Sequence, residues 1–281
     1  MTDYDGKTVV ITGATSGLGL AVSTRFAQLG ADTLLVCRTE QSGERAARVI
    51  ESAAPGASVR PMLCDLASMA SIEEFIADLK AQHASIDLLF NNAAVMKRDR
   101  TLTQDGLEMM FQVNYLAPVI LMTSLLDQLR SSTTHLVIGI ARPSGKERVD
   151  FDDLQFAKHY GIYRSFFQTK LYLTLASIEL AHRPEAHGVS IHLADPGPFK
   201  SDLLREARWP AGWIKNAFSR PVDTAADNIV FVASSDQARS GTGKVFNKHH
   251  ETPLASYWKD AHVRARLWSA TEAMIETANS H

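Results

Sequence analysis

Two cysteines in 281 residues, Cys37 and Cys64, are too few for a disulfide framework and fit a reducing compartment. Neither sign of charge dominates: 29 Lys and Arg stand against 31 Asp and Glu, a formal net charge of -2. Without a basic surplus there is no footprint for nucleic acid or an anionic membrane, so the expected partner is a small molecule. Long apolar runs are missing as well. The most apolar stretch, Tyr115 to Leu126, is interrupted by Pro118, Thr123 and Ser124 and falls short of the roughly 20 residues that a spanning helix needs. No basic, apolar leader precedes the first strand-like run, so a cytoplasmic location and no membrane span are expected. Repeats and Gly/Ser/Pro linkers are lacking too, which predicts a single domain over residues 1–281. His249-His250 has no third ligand at metal spacing, so no metal site is expected, and the chain from about 248 reads as a tail.

What is present is a regular alternation. Short β-branched runs at Thr8–Thr12, Asp32–Cys37, Val59–Leu63, Ile86–Phe90, His135–Ile140, Val189–Ala194 and Lys244–Asn247 read as buried strands. Helical patterns near Gly17–Leu29, Glu40–Ser52, Met69–Gln82, Leu107–Arg130, Ser165–Ala181 and Thr224–Ser234 lie between them. Such alternation predicts an α/β fold, a Rossmann-type doubly wound parallel sheet of about seven strands with helices on both faces. Two segments break the rhythm, residues 141–164 and 197–221. Both leave strands at their carboxyl ends, where open α/β sheets bind ligands.

The first strand runs into Thr12-Gly13-Ala14-Thr15-Ser16-Gly17-Leu18-Gly19 and then a helix. Glycines there let the backbone approach a pyrophosphate, whose charge meets unpaired N–H groups and the positive end of the helix dipole. Ser16 adds a hydroxyl donor. A merely tight turn is the plainer alternative.

At this point the chain resembles the short-chain dehydrogenase/reductase family, whose first turn reads T-G-x-x-x-G-x-G. The resemblance continues along nearly the whole chain. Asp65-Leu66 is similar to the family's adenine contact, and Asn91-Asn92-Ala93-Ala94 to its N-N-A-G motif, with Ala in the last place. Asn114 falls at the mid-helix asparagine. Pro196-Gly197 followed by Ser201 resembles the segment that contacts the nicotinamide carboxamide. Asp65-Leu66-Ala67-Ser68, Asp105-Gly106-Leu107-Glu108, Phe151-Asp152-Asp153-Leu154 and Leu267-Trp268 look most like the branch of retinol dehydrogenases and protochlorophyllide reductases. Cofactor choice is read after the second strand, where Cys37-Arg38-Thr39 offers a guanidinium fork that suits a 2′-phosphate. NADP(H) is therefore expected; a solvated helix-start charge is the alternative for Arg38, and Asp32 lies too early to serve.

The family resemblance also implies a catalytic Ser, Tyr, Lys and Asn, and two of these are replaced. Lys170 matches the lysine of Y-x-x-x-K, which puts Phe166 at the tyrosine position, and the strand ending at Ile140 puts Ala141 at the serine. Phe166 has no proton to give, and general acid–base catalysis is typically worth about 10²–10⁴-fold. Tyr163, seven residues before Lys170 and on nearly the same helix face, is a candidate acid; packing under the loop is its other reading. Arg142 could polarise a substrate oxygen or remain a surface charge, and Ser144, His159 and Tyr160 are weaker substitutes. Lys170 and Asn114 are expected to hold the nicotinamide ribose and the local helix geometry. Trp209 and Trp213, four apart beside Pro210 and Gly212, read as one face of a lid over an apolar pocket or as a subunit contact. The resemblance further implies a homodimer or homotetramer formed through the helices of Asn114 and Lys170.

Two functional expectations follow. One is an atypical NADP(H)-dependent oxidoreductase acting on a hydrophobic ketone, enone or iminium in specialised metabolism. The other is a non-redox cyclase, isomerase or ligand-binding protein that keeps the nucleotide fold.

Overall fold

The computed structural model describes residues 4–132, 134, 136–140, 146–197 and 221–278. Eight strands form one sheet: β1 (Thr8–Thr12), β2 (Asp32–Cys37), β3 (Val59–Leu63), β4 (Leu88–Asn91), β5 (Leu136–Ile140), β6 (Ser190–Asp195), β7 (Lys244–Asn247) and β8 (His250–Thr252). Their spatial order is β3-β2-β1-β4-β5-β6-β7-β8. All neighbours are parallel except β7 and β8. The strand order reverses between β1 and β4, so the carboxyl ends of those two strands open the crevice where such sheets take ligands.

Central strands are apolar on both faces because helices cover both. One core joins the sheet to α3 (Met69–Gln82), α5 (Ala117–Ser124) and α7 (Ile162–Ala181) through Leu89, Val137, Ile72, Leu121 and Leu171. The other joins it to α1 (Gly17–Gln28), α2 (Glu40–Ala53) and α8 (Val222–Ser234) through Ile11, Leu35, Val22, Ile50 and Ile229. β3 is one of the two edge strands. Its Pro61 cannot donate to a further strand, which blunts that edge.

Two expectations are corrected, and the expected sheet of about seven strands gains one. The pattern at Leu107–Arg130 is not one helix but α4 (Met109–Phe111), a π-turn (Gln112–Leu116), α5 and α6 (Leu126–Arg130). The sheet has eight strands, with the last antiparallel. And the stretch beyond 248 is no tail: it holds β8, a 3₁₀ turn (Ser256–Lys259) and α10 (Ala261–Ala278), after the short α9 (Asp236–Arg239). Leu267, Trp268 and Thr271 bury one face of α10 against α7 and the π-turn. Thr271 hydrogen-bonds the Tyr115 hydroxyl, Arg264 Nε pairs with Glu179 at 3.3 Å, and the Arg183 guanidinium lies 4.7 Å over Trp268. Among the described residues no helix is long and apolar enough to cross a membrane, and no cluster of three His, Cys, Asp or Glu side chains stands at metal-binding spacing.

Candidate active site

Thr12 is the pivot of the crevice. Its hydroxyl oxygen accepts the backbone N–H groups of Asn92 at 3.0 Å and Ala93 at 3.1 Å. Asn92 Nδ2 returns two bonds, to Thr12 O at 2.9 Å and Gly13 O at 3.2 Å. The turn after β1 is thus stitched to the turn after β4. Glycine is required by this closeness. A Cβ on Gly13, whose φ is +64°, would lie 2.9 Å from Ala93 Cα, and one on Gly19 would lie 2.2 Å from Gly13 O.

Gly17 differs. Its φ is +51°, yet a Cβ there would meet nothing within 4 Å, so the backbone borders open space at the start of α1. Ser16 caps that helix by backbone conformation alone, with no side-chain cap bond, and the first turn carries no acidic residue. Exposed N–H groups, a hydroxyl and the positive helix end therefore converge without a resident anion among the described residues. Leu18 is buried and anchors the turn, and Thr15 is half-buried. These residues fit a pyrophosphate.

Along the β2–β3 rim, Arg38 is exposed directly after β2, and Thr39 caps α2 through Ser42 N–H. Asp65 Oδ1 accepts the Ala67 N–H at 3.0 Å while the Asp65 N–H donates to Ser71 Oγ at 2.9 Å, which fixes the turn that sets Leu66 into the core. Cys37 and Cys64 are free and buried. Burial raises both thiols, Cys64 to about 12, so neither is a ready nucleophile.

The deeper half of the site is built on the π-turn and α7. Asn114 Oδ1 accepts the Val95 N–H at 2.7 Å and its Nδ2 donates to Val95 O at 2.8 Å, with a further bond to Thr169 Oγ1 at 3.3 Å. Thr169 in turn donates to Phe166 O at 2.8 Å. Lys170 follows, 4% exposed, and burial pushes its amine down to about 8. Its Nζ lies 5.7 Å from the centroid of the Phe166 ring. Phe166 and Lys170, four apart on α7, thus share a face, and an apolar ring stands beside the buried amine.

Tyr163 is on the same helix but 37% exposed. Seven residues span about 10 Å of helix axis, so about two turns separate Tyr163 from Lys170. Tyr160 gives its hydroxyl hydrogen to Lys97 O at 2.7 Å, tying the segment before α7 to the chain after β4. The His159 N–H donates to Asp153 Oδ2 at 3.0 Å, one of the backbone bonds that hold this carboxylate below its usual range. Past β6, Asn228 Nδ2 donates to Pro196 O at 3.0 Å, and Gly197 has a φ of +83°. Ala141, Arg142, Ser144, Ser201, Trp209, Trp213 and the expected lid lie outside the described residues, apart from the ends of that lid at Gly197 and Pro221. The roles of Thr12, Val95, Thr169 and Asn228 escaped the sequence reading. Thr12 alone had a signal, since it opens the glycine run.

A glycine cradle at the crevice of a doubly wound sheet, with a buried lysine and a helical asparagine beyond it, defines a nucleotide-binding α/β protein. Comparison places it more closely. The profile of the short chain dehydrogenase family matches residues 7–210, and the chain belongs to that family of oxidoreductases. Retinol dehydrogenase 13 of Mus musculus is 32% identical over 292 residues, covering 98% of this chain and 86% of that protein. Polyprenol dehydrogenase of Mus musculus is 29% identical, covering 94% of this chain and 82% of that protein. The crystal structure of an uncharacterized protein from Mycobacterium paratuberculosis superposes with a TM-score of 0.78 at 25% identity, over 98% of this chain and 96% of that one.

Proposed function

We propose that this chain is an NADP(H)-dependent oxidoreductase of a hydrophobic small molecule, with a proton path altered from that of its family. The observation that carries this reading is the open backbone at Gly17, at a helix start whose first turn carries no acid. Gly13, Thr15, Ser16, Gly17, Leu18 and Gly19 would hold the pyrophosphate, Asp65, Leu66, Asn92 and Ala93 the adenosine side, and Lys170, Pro196, Gly197 and Ser201 the nicotinamide riboside. Arg38 would pair the 2′-phosphate: it is exposed, and no residue after β2 offers a carboxylate before Glu40. When bound, NADP(H) would supply or remove a hydride.

Phe166 and Ala141 stand where the family pattern has Tyr and Ser, so the substrate needs an electrophilic carbon that tolerates their loss: an iminium, a conjugated enone or a reactive carbonyl. Such substrates suit specialised metabolism. Arg142 would polarise the substrate oxygen, and Trp209 and Trp213 would close over an apolar pocket. The names of the two mouse relatives, retinol and polyprenol dehydrogenases, support an apolar alcohol or its carbonyl as the substrate class. Two free, buried cysteines support the cytoplasm as the compartment. A homodimer or homotetramer built through the helices of Asn114 and Lys170 would use the parts of α7 that α10 of the same chain leaves uncovered.

Titration of the protein with NADPH, followed by nicotinamide fluorescence with NADH as control, tests this reading. Saturable binding that favours NADPH is expected; no binding of either nucleotide would overturn it. One observation favours a second reading. The buried Lys170 amine faces a ring without a hydroxyl, which suits a non-redox isomerase or cyclase on a retained nucleotide fold, and stoichiometric NADPH consumption would remove that reading.

A further inference from the structure

We propose that Lys170 itself delivers the proton to the substrate oxygen, taking the part that a phenol would take at position 166. The proposal rests on the oxidoreductase reading above. In the reduction direction the carbonyl carbon gains a hydride from the reduced nicotinamide nucleotide, and the carbonyl electron pair moves to oxygen. That oxygen takes a proton from the Lys170 ammonium; the neutral amine left behind is reprotonated from solvent. Oxidation of the alcohol runs the same transfers backward.

Geometry carries the assignment. Lys170 and Phe166 occupy one face of α7, with Nζ 5.7 Å from the ring centroid, so the side chain one turn before the amine offers no proton. The other hydroxyls nearby are otherwise placed. Tyr160 donates to Lys97 O, Thr169 donates to Phe166 O, and Ser165 Oγ accepts the Gly161 N–H at 3.4 Å. Tyr163 is about two turns away along the helix. The chain Val95–Asn114–Thr169 ties the backbone beside Lys170 to the turn after β4, so the amine is held by a rigid element.

The acidity suits the task. Burial lowers Lys170 to about 8, so its ammonium releases a proton near neutral pH. α7 packs against the π-turn, β6 and α10, among others. Several of their titratable groups have partners of their own. Tyr115 bonds Thr271, His192 bonds Ala238 O, Arg264 pairs with Glu179, and Asp195 Oδ1 accepts the Gly197 N–H. Burial is the cause that dominates.

Two measurements on the full chain test this. In protein labelled with ¹⁵N at lysine Nζ, the Lys170 resonance, assigned with Lys170→Arg, should titrate near pH 8 by NMR; a midpoint above 10 overturns the proposal. With all-trans-retinal as probe and NADPH dideuterated at C4, kcat/KM should fall about tenfold per pH unit above that midpoint. Phe166→Tyr should move this limb, and Lys170→Arg should lose about a hundredfold or more in kcat at saturating NADPH, with occupancy at that concentration checked by fluorescence because Lys170 is also assigned to the riboside. Label transfer with a flat profile from pH 7 to 9.5, or with kcat kept in Lys170→Arg, overturns the assignment and leaves the oxidoreductase reading standing. No label transfer overturns both.

Discussion

Asn114 and Val95 exchange two hydrogen bonds across 19 residues of sequence, at 2.7 and 2.8 Å, so a side chain on the π-turn completes the backbone pairing of the strand-end loop. The π-turn itself brings this asparagine inward; such one-turn widenings recur at functional sites. Asn114→Ala removes the partner of both Val95 backbone groups in a half-buried setting and should cost about 1–2 kcal/mol. Urea unfolding would measure it. Asn114→Asp should also destabilise, since a carboxylate accepts the N–H but cannot donate to Val95 O.

The glycines of the cradle should separate by mechanism. Gly19→Ala places a Cβ 2.2 Å from a backbone oxygen and should disturb the fold itself, lowering the thermal midpoint. Gly17→Ala meets no neighbour, so its loss of stability should stay near the roughly 1–2 kcal/mol of left-handed backbone strain while NADPH affinity falls further than stability. Calorimetry beside a nucleotide titration reads both.

Arg38→Glu should weaken NADPH by at least about tenfold and leave NADH within about threefold, because a carboxylate repels the 2′-phosphate and accepts a ribose hydroxyl. Equal losses for both nucleotides would contradict the role given to Arg38.

Restoring the family pattern is a direct test of register. Phe166→Tyr, alone and with Ala141→Ser, should raise reduction of simple aldehydes by about 10²-fold or more if a phenol at 166 passes the proton better than the buried Lys170 amine does. No gain would mean that a phenol at 166 does not improve on Lys170 as the acid.

His192 predicts an acid limb of stability. Its Nε2 bonds Ala238 O at 2.7 Å and its Nδ1 accepts the Lys244 N–H at 3.3 Å, which only the neutral ring satisfies. Burial pushes it down to about 4 from 6.5. The unfolded chain therefore binds the extra proton first, and stability is complete above pH 6.5 and lost as pH falls toward 4, by about 3 kcal/mol for this group. His192→Gln should flatten that limb in chemical denaturation between pH 4 and 7.

The parallel strands β1, β2, β3 and β7 were legible to the residue; β1 and β2 are buried on both faces and read as apolar runs, whereas β3 is an edge strand largely open to solvent. Less was legible where the chain departs from a regular period. Nothing local marks the π-turn at Gln112–Leu116. β8 follows a turn at Lys248, a non-glycine residue with φ of +55°, in place of the Asn-Gly signal that announces a hairpin. α10 was read as tail because its buried Leu267, Trp268 and Thr271 form a narrow stripe among exposed residues. The cradle glycines were visible through spacing alone. The bonds of Thr12 and Asn114 were not, since their partners lie 80 and 19 residues away along the chain.

One measurement addresses the central claim most directly. The protein is incubated with NADPH dideuterated at C4 and all-trans-retinal, and the product is analysed by mass spectrometry. Retinol carrying one deuterium at the former carbonyl carbon, with label transfer abolished by Arg38→Glu at limiting NADPH, is the predicted result. NADPH bound but recovered with both deuterons, and an unlabelled or isomerised probe, would contradict the account.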